Sequence, residues 1–295
     1  MKWSLYLLAA LVFGIVLLIT GAYFELHRSS GEVLSGGQKR AYLLHVPKKI
    51  PSDRPMPLVI CLHGFAEWPA HVMRLSHWNQ LADEFGFLVV YPRGSGFPFR
   101  WRSGDRFGSQ DVKFVSDLID QLKKEYKIDD DRIYANGLSN GGGMAFVLAG
   151  QLSERIAAIG GVAGAYVLPW REYKPKRPVP AIIFHGTDDP IVPFHGNSSG
   201  PFSFPPDIPQ WVQSLAEHNG CQTNPVPLLA SGSVIGVRYP GATNNAEVIF
   251  YSVAGGGHTW PGGKEMPAVI VGKTTPDIDA TRLMWSFFTE HPLLR

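Results

Sequence analysis

The chain has 295 residues, 45% hydrophobic and 18% charged, with a formal net charge of +2. That is enough apolar material for one large core, and a charge balance too even to point to nucleic acid or an acidic surface as partner. Its 32 glycines and 24 prolines are scattered between apolar runs, which reads as punctuation between short elements and excludes a low-complexity chain.

Trp3 to Phe24 is almost free of polar groups, with Lys2 before it and His27 and Arg28 after it. Thr20-Gly21-Ala22 offers a small-residue cleavage site. The run also approaches the roughly 20 residues that span a bilayer. Residues 1–28 therefore read either as a cleaved signal peptide or as a retained membrane anchor, and both put the rest of the chain outside the cytoplasm. A polar, Gly-rich linker is expected over 29–40, and one domain over 41–295.

Ala41 to Val46 reads as an edge strand. Pro57 to Leu62 is a continuous apolar run, as expected of a strand covered on both faces. Ala70 to Phe85 has helical periodicity, and Phe87 to Tyr91 is a second buried strand. Asp111 to Tyr126 is a helix with Asp111 as its cap and Phe114, Val115, Leu118, Ile119 and Leu122 on one face. A strand over Arg132 to Leu138 leads into a helix over Ser139 to Leu152. Further strands fall at Ala157 to Val162, Pro180 to Phe184 and Glu247 to Val253, and further helices at Asp207 to His218 and Ala280 to Thr289. Strands alternating with helices predict an α/β domain with a mainly parallel sheet and helices on both faces. The irregular stretches Gly94 to Gln110 and His195 to Pro206 are expected to wall a cleft.

Gly137-Leu138-Ser139-Asn140-Gly141 matches G-x-S-x-G, set between a strand and a helix. The glycines allow a sharp turn that lifts the serine hydroxyl clear of the sheet, as in the nucleophile elbow of α/β-hydrolases. A serine hydroxyl needs a base, and the base needs an orienting acid. In this fold the acid and then the histidine follow the serine along the chain. His258, in the glycine-rich Gly255 to Gly263, fits the base. Asp188 and Asp189 compete for the acid, and the spacing G-x-x-D-x-x-V-P favours Asp189, leaving Asp188 to cap the turn or face solvent. An oxyanion hole is expected from the N–H of Asn140 and that of Phe65, with Ala66 as the alternative to Phe65. His63 and His185, at strand ends, read as structural braces.

No Cys/His cluster has zinc spacing. Asp129-Asp130-Asp131 lacks the spaced ligands of a calcium loop and reads as a solvated turn. No metal and no cofactor are expected. Arg93, Arg100, Arg102 and Arg106 read as a solvated basic loop. Cys61 and Cys221 are expected to be free thiols.

The motifs LHGF, DVKFVSDLID, RIYANGLSNGGGMAF, HGTDDPIVPF, Trp211 to Cys221 with its NGC, and GGGHTWPGG together resemble the family of secreted polyhydroxybutyrate depolymerases, feruloyl esterases and acetylxylan esterases. The resemblance runs from about Ala41 to Pro292. It implies an α/β-hydrolase fold and a Ser139, Asp189, His258 triad that cleaves carboxylic esters through an acyl-enzyme. It implies as substrate a polyester oligomer or an acylated plant polysaccharide fragment. Trp260, beside the histidine, is implied to wall the substrate cleft. Family members usually carry a cysteine downstream of the NGC motif, and this chain has none after Cys221, so no family disulfide is implied. A monomer is expected. Peptidase or thioesterase chemistry on the same fold, or a silent binding module for a glycan or polyester, are the alternatives.

Overall fold

The computed structural model describes residues 20–21, 23–50, 54–102, 108–196, 207–228, 231–241 and 246–294. The leader expected over 3–24 lies almost wholly outside them, as do Arg106 and residues 197–206 of the second cleft loop. No helix among the described residues is long and apolar enough to cross a membrane.

The strands are β1 (Gly31–Ser35), β2 (Gln38–His45), β3 (Met56–Leu62), β4 (Leu88–Pro92), β5 (Ile128–Leu138), β6 (Ala158–Val162), β7 (Ala181–Gly186), β8 (Val226–Pro227), β9 (Val234–Tyr239) and β10 (Val248–Val253). They form one sheet in the order β1-β2-β4-β3-β5-β6-β7-β10-β9-β8. The run from β4 to β10 is parallel, and antiparallel pairs flank it on both sides. The helices are α1 (Pro69–Ser76), α2 (Trp78–Phe85), α3 (Gly108–Glu125), α4 (Asn140–Gln151), α5 (Ile208–His218), α6 (Ala268–Val271) and α7 (Ala280–Glu290).

Strand periodicity sorts the core into two layers. Along β3, Leu58, Ile60 and Leu62 join Phe114, Leu118, Met144 and Trp211 on one face. Val59 and Cys61 face the other way, into a layer with Trp78, Trp260, Met284 and Phe288. Every residue of β3, β4 and β7 is buried, which is why these segments read as unbroken apolar runs. Helices cover both faces, which is the α/β-hydrolase architecture.

Several expectations need correction. Gly31–Ser35, expected within a linker, is β1, because a turn with left-handed Gly36 and Gly37 closes it onto β2. β2 in turn pairs with β4, so it is not an edge strand. The helix expected over 70–85 is two helices. His77 sits between them at φ 58°, a left-handed conformation that cannot carry the α-helical ladder onward, although the apolar spacing runs through it. Helix α3 begins three residues before Asp111, so this aspartate is not its cap. It is buried, accepts from Arg40 Nη2 at 2.8 Å and from the Arg102 N–H at 3.0 Å, and so ties β2 to the chain entering α3. The acidic triplet belongs to β5, with Asp129 bridged to Arg132 at 2.7 Å and Asp130 to Lys123 at 2.7 Å. Strands β8 and β9 were not expected. β9 alternates buried and exposed residues over only six positions with a glycine inside, too short a pattern to stand out.

Candidate active site

Parallel strands deliver their carboxyl ends to one edge of the sheet, and the site residues lie in the loops that leave that edge. Ser139 follows β5 and forms the N-cap of α4 at φ 55° and ψ −119°, half-buried. A non-glycine residue held at positive φ is strained, so its surroundings must over-determine it. They do so with hydrogen bonds from Ser139 N to Val162 O at 2.9 Å, and to Ser139 O from Ala165 N at 2.9 Å and Gly143 N at 3.0 Å. Gly141 lets α4 approach β3 closely. A Cβ there would stand 2.2 Å from Leu62 O.

On the same edge, two and three strands away, the loops after β7 and β10 bring Asp189 and His258 together. His258 Nδ1 lies 2.8 Å from Asp189 Oδ2, and both residues are 5% exposed. Asp189 Oδ1 accepts from Ile191 N and Val192 N, each at 2.8 Å. His185 Nε2 stands 3.3 Å from the same Oδ2. Burial alone would raise the Asp189 pKa. Hydrogen bonds from His185 and His258 outweigh it and hold the carboxyl well below its usual range. Asp188 is exposed and accepts from Thr187 Oγ1 at 3.2 Å, so of the two adjacent carboxylates only Asp189 meets the histidine. The histidine loop is pinned by His258 N to Val271 O at 2.6 Å and by Gly257 N to Lys273 O at 2.9 Å. Gly257 allows that approach, because a Cβ there would sit 2.1 Å from Val271 O.

The loop after β3 is braced from within. His63 is fully buried. Its Nε2 accepts from Gly94 N at 2.9 Å, which puts the proton on Nδ1, and Nδ1 donates to Gly64 O at 2.7 Å. Burial pushes the His63 pKa down to about 4, so the ring is neutral at pH 7. Glu67 Oε2 accepts from Gly64 N at 2.8 Å. Ala66 N already donates to Phe99 O at 2.8 Å, whereas the Phe65 N–H has no hydrogen bond among the described residues.

Trp260 departs from expectation. It is fully buried, its indole N–H donates to Thr281 Oγ1 at 2.9 Å, and it packs in the layer under α7. It holds the histidine loop from beneath and does not wall an open cleft. Trp101, which lies between two arginines, is tied more directly to the loop after β3. Its indole N–H donates to His63 O at 2.9 Å and ties the loop after β4 to the loop after β3. Of the basic loop, Arg93 lies over the Phe99 ring at 5.3 Å. Cys61 and Cys221 are both free and buried. No group of His, Cys, Asp or Glu among the described residues is arranged to hold a metal ion.

Comparison with known proteins gives the family. Residues 40–169 match the family model described as esterase PHB depolymerase. The chain is 40% identical over 156 residues to the bifunctional acetylxylan esterase/xylanase XynS20E of Neocallimastix patriciarum, covering 53% of this chain and 22% of that much longer protein. It is 32% identical over 267 residues to NocK of Nocardia uniformis subsp. tsuyamanensis, classed by name among esterases, covering 81% of this chain and 76% of NocK. Among solved structures, the acetyl xylan esterase from Aspergillus awamori superposes with a TM-score of 0.58 at 16% identity, covering 75% of this chain and 89% of that one, a likeness of fold. With strand order, strained serine turn and paired aspartate and histidine already in view, these matches establish that the chain belongs to the PHB depolymerase-type esterase family of α/β-hydrolases.

Proposed function

We propose that this protein is an exported serine carboxylic ester hydrolase that works through Ser139, His258 and Asp189. The observation that carries the reading is the 2.8 Å contact between His258 Nδ1 and Asp189 Oδ2, on the sheet edge where Ser139 is held in a strained turn. Asp189, ionised and fully hydrogen-bonded, fixes the imidazole with its proton on Nδ1 and leaves Nε2 as the base. His258 takes the Ser139 proton as Oγ attacks the ester carbonyl. The N–H groups of Asn140 and Phe65 receive the oxyanion. His258 then protonates the leaving alcohol, and water repeats the sequence to release the acid. These residues supply the whole reaction without a cofactor. Export is supported by the apolar run from Trp3 to Phe24, as a cleaved signal or an anchor.

For the substrate, the apolar character of the site's surroundings favours a polyester oligomer over an acylated polysaccharide. Phe65, Phe97, Ile191, Val269 and Ile270 are 56%, 82%, 40%, 94% and 64% exposed. Phe65, Phe97 and Ile191 stand on the loops that follow β3, β4 and β7, and Val269 and Ile270 on the short helix α6 in the segment that follows β10. Exposed apolar side chains gathered around one edge mark a surface made to be covered.

The test is hydrolysis of short-chain p-nitrophenyl esters by the chain without residues 1–28, with Ser139→Ala beside it. The parent turns over, and the variant loses on the order of a millionfold. Comparison of hydroxybutyrate oligomers with feruloyl and acetyl sugar esters then fixes the acyl class. Undiminished turnover by the variant would overturn the assignment of the nucleophile. A folded parent inert on every ester would point to peptidase chemistry or to a binding module.

A further inference from the structure

We infer that His185 is a positioning residue of the active site, which sets the basicity of His258 through the carboxylate they share. This rests on the reading of Asp189 and His258 as acid and base. His185 lies next to the carboxyl end of β7, with its side chain fully buried. Only its Nε2 edge has polar partners. Nε2 donates to Val192 O at 2.8 Å, and a carbonyl can only accept, so the proton sits on Nε2. The same Nε2 stands 3.3 Å from Asp189 Oδ2. The other ring nitrogen, Nδ1, is buried without a hydrogen-bond partner among the described residues. A ring that merely filled space here would leave no buried polar atom unmatched, and phenylalanine would serve. The histidine accepts that cost and aims its one donor into the Asp189–Val192 turn.

The turn shows what the donor does. Val192 gives its N–H to Asp189 Oδ1 and takes the His185 proton on its carbonyl. His185 thus closes the loop that holds the carboxylate, and the positive edge of its N–H lies 3.3 Å from Oδ2, beside the three N–H groups of Ile191, Val192 and His258 that donate to the carboxylate. Each donor draws charge away from the carboxylate. With fewer donors, more negative charge faces His258, its protonated form is favoured, and its free-base form requires higher pH. The other ionisable group on this turn, Asp188, is exposed to solvent. His185 therefore lowers the pH at which His258 becomes a base.

The experiment is the pH profile of kcat/KM for the chain without its leader and for His185→Leu, His185→Asn and His185→Gln. Leu removes the donor, the Asn amide is too short to reach Oδ2, and the Gln amide places an N–H close to the position of Nε2. The acid limb moves to higher pH by about half a unit or more in the Leu and Asn variants and returns toward the parent in the Gln variant. Far-ultraviolet circular dichroism identifies folded variants, and Asn carries the test if the Leu variant does not fold. A folded Leu or Asn variant that loses turnover with an unmoved acid limb would overturn the inference, leaving His185 a purely structural residue. Ser139→Ala, run in parallel, separates this from failure of the triad. If that variant stays active, the nucleophile assignment has failed. If it is inactive and the limb does not move, only the role of His185 has failed.

Discussion

The side chain of Asn140 clasps the backbone of Trp101 at both ends. Its Oδ1 accepts from Trp101 N at 2.6 Å, and its Nδ2 donates to Trp101 O at 3.0 Å. Trp101 in turn donates its indole N–H to His63 O. The residue after Ser139 is thereby latched, through one tryptophan, to the loop that carries Phe65. Both backbone groups proposed for the oxyanion hole hang on this chain of contacts.

Asn140→Ala keeps the backbone N–H of residue 140 and removes the latch. Losing two hydrogen bonds at a part-buried site costs about 1–3 kcal/mol. If that loss is felt when the two donors converge on the oxyanion, kcat falls roughly tenfold to a hundredfold, with KM little changed. Steady-state kinetics on a soluble ester checks this. An unchanged kcat would mean that the two loops hold their relative position without the latch.

Gly141→Ala tests the close approach beneath Ser139. The new methyl would stand 2.2 Å from Leu62 O and 2.7 Å from His63 O, both backbone atoms with no freedom to move aside. Gly257→Ala meets the same problem at Val271 O. Overpacking of this kind costs about 1–3 kcal/mol or more. Either variant is expected to melt several degrees below the parent, and Gly141→Ala to lose most of its activity even where it folds, because relief of the clash must shift Ser139. Calorimetry and p-nitrophenyl ester turnover read the two effects separately.

The pH dependence of stability carries the signature of His63. Its folded pKa is lowered from the ordinary 6.5 to about 4 by burial. The unfolded chain therefore binds a proton that the folded chain refuses, and stability is lost as pH falls from about 6.5 to about 4. The contribution at neutral pH is on the order of 3 kcal/mol. Carboxylates with lowered pKa act in a lower window. Asp189, held down by its histidines against burial, and Glu67, held down against burial by His71, lose their contributions only as pH falls through and below the ordinary carboxylate range. Urea unfolding across this range should show the parent weakening steadily below pH 6.5, and His63→Gln, less stable throughout, weakening far less over the same interval. Parallel slopes for the two proteins would assign the loss to other groups.

The legibility of these features in the sequence follows their range. Most of the alternating elements, the serine turn and the preference for Asp189 over Asp188 rest on local patterns of apolar period and glycine spacing; the structure shows most of those elements, and it brings Asp189 and not Asp188 against His258. His63 is readable as a strand-end brace for the same reason. Contacts between distant segments were not readable. Asp111 looks like a cap from its neighbours alone, and only the approach of Arg40, 71 positions away in sequence, makes it a buried ion pair. Trp101 carries no local signature of its bond to His63. Trp260 is buried away from the expected cleft, because proximity to the histidine in sequence does not say on which side of the loop an indole lies. The helix break at His77 is a single left-handed residue inside an uninterrupted apolar period, which no count of hydrophobic spacing detects.

The two cysteines offer a clean report on global unfolding. Cys61 lies mid-strand in β3 with no exposed surface, and burial pushes its thiol pKa far up. Cys221 is 9% exposed, its Sγ lies 2.9 Å from Ala246 O, and burial pushes its pKa up to about 11. The thiolate is the reactive form, so at neutral pH both residues are shielded chemically as well as sterically. Labelling with a chromogenic disulfide should find almost no reaction in the native protein and two thiols per chain in denaturant without reductant. Under native conditions both should react at the rate at which the whole domain opens, since β3 sits centrally in the sheet and Cys221 is bridged to Gly241 after β9 and bonded to Ala246 O before β10. Fewer than two thiols in denaturant would reveal a disulfide. Fast native labelling of Cys221 alone would show that the α5–β10 side opens as a separate, weaker unit.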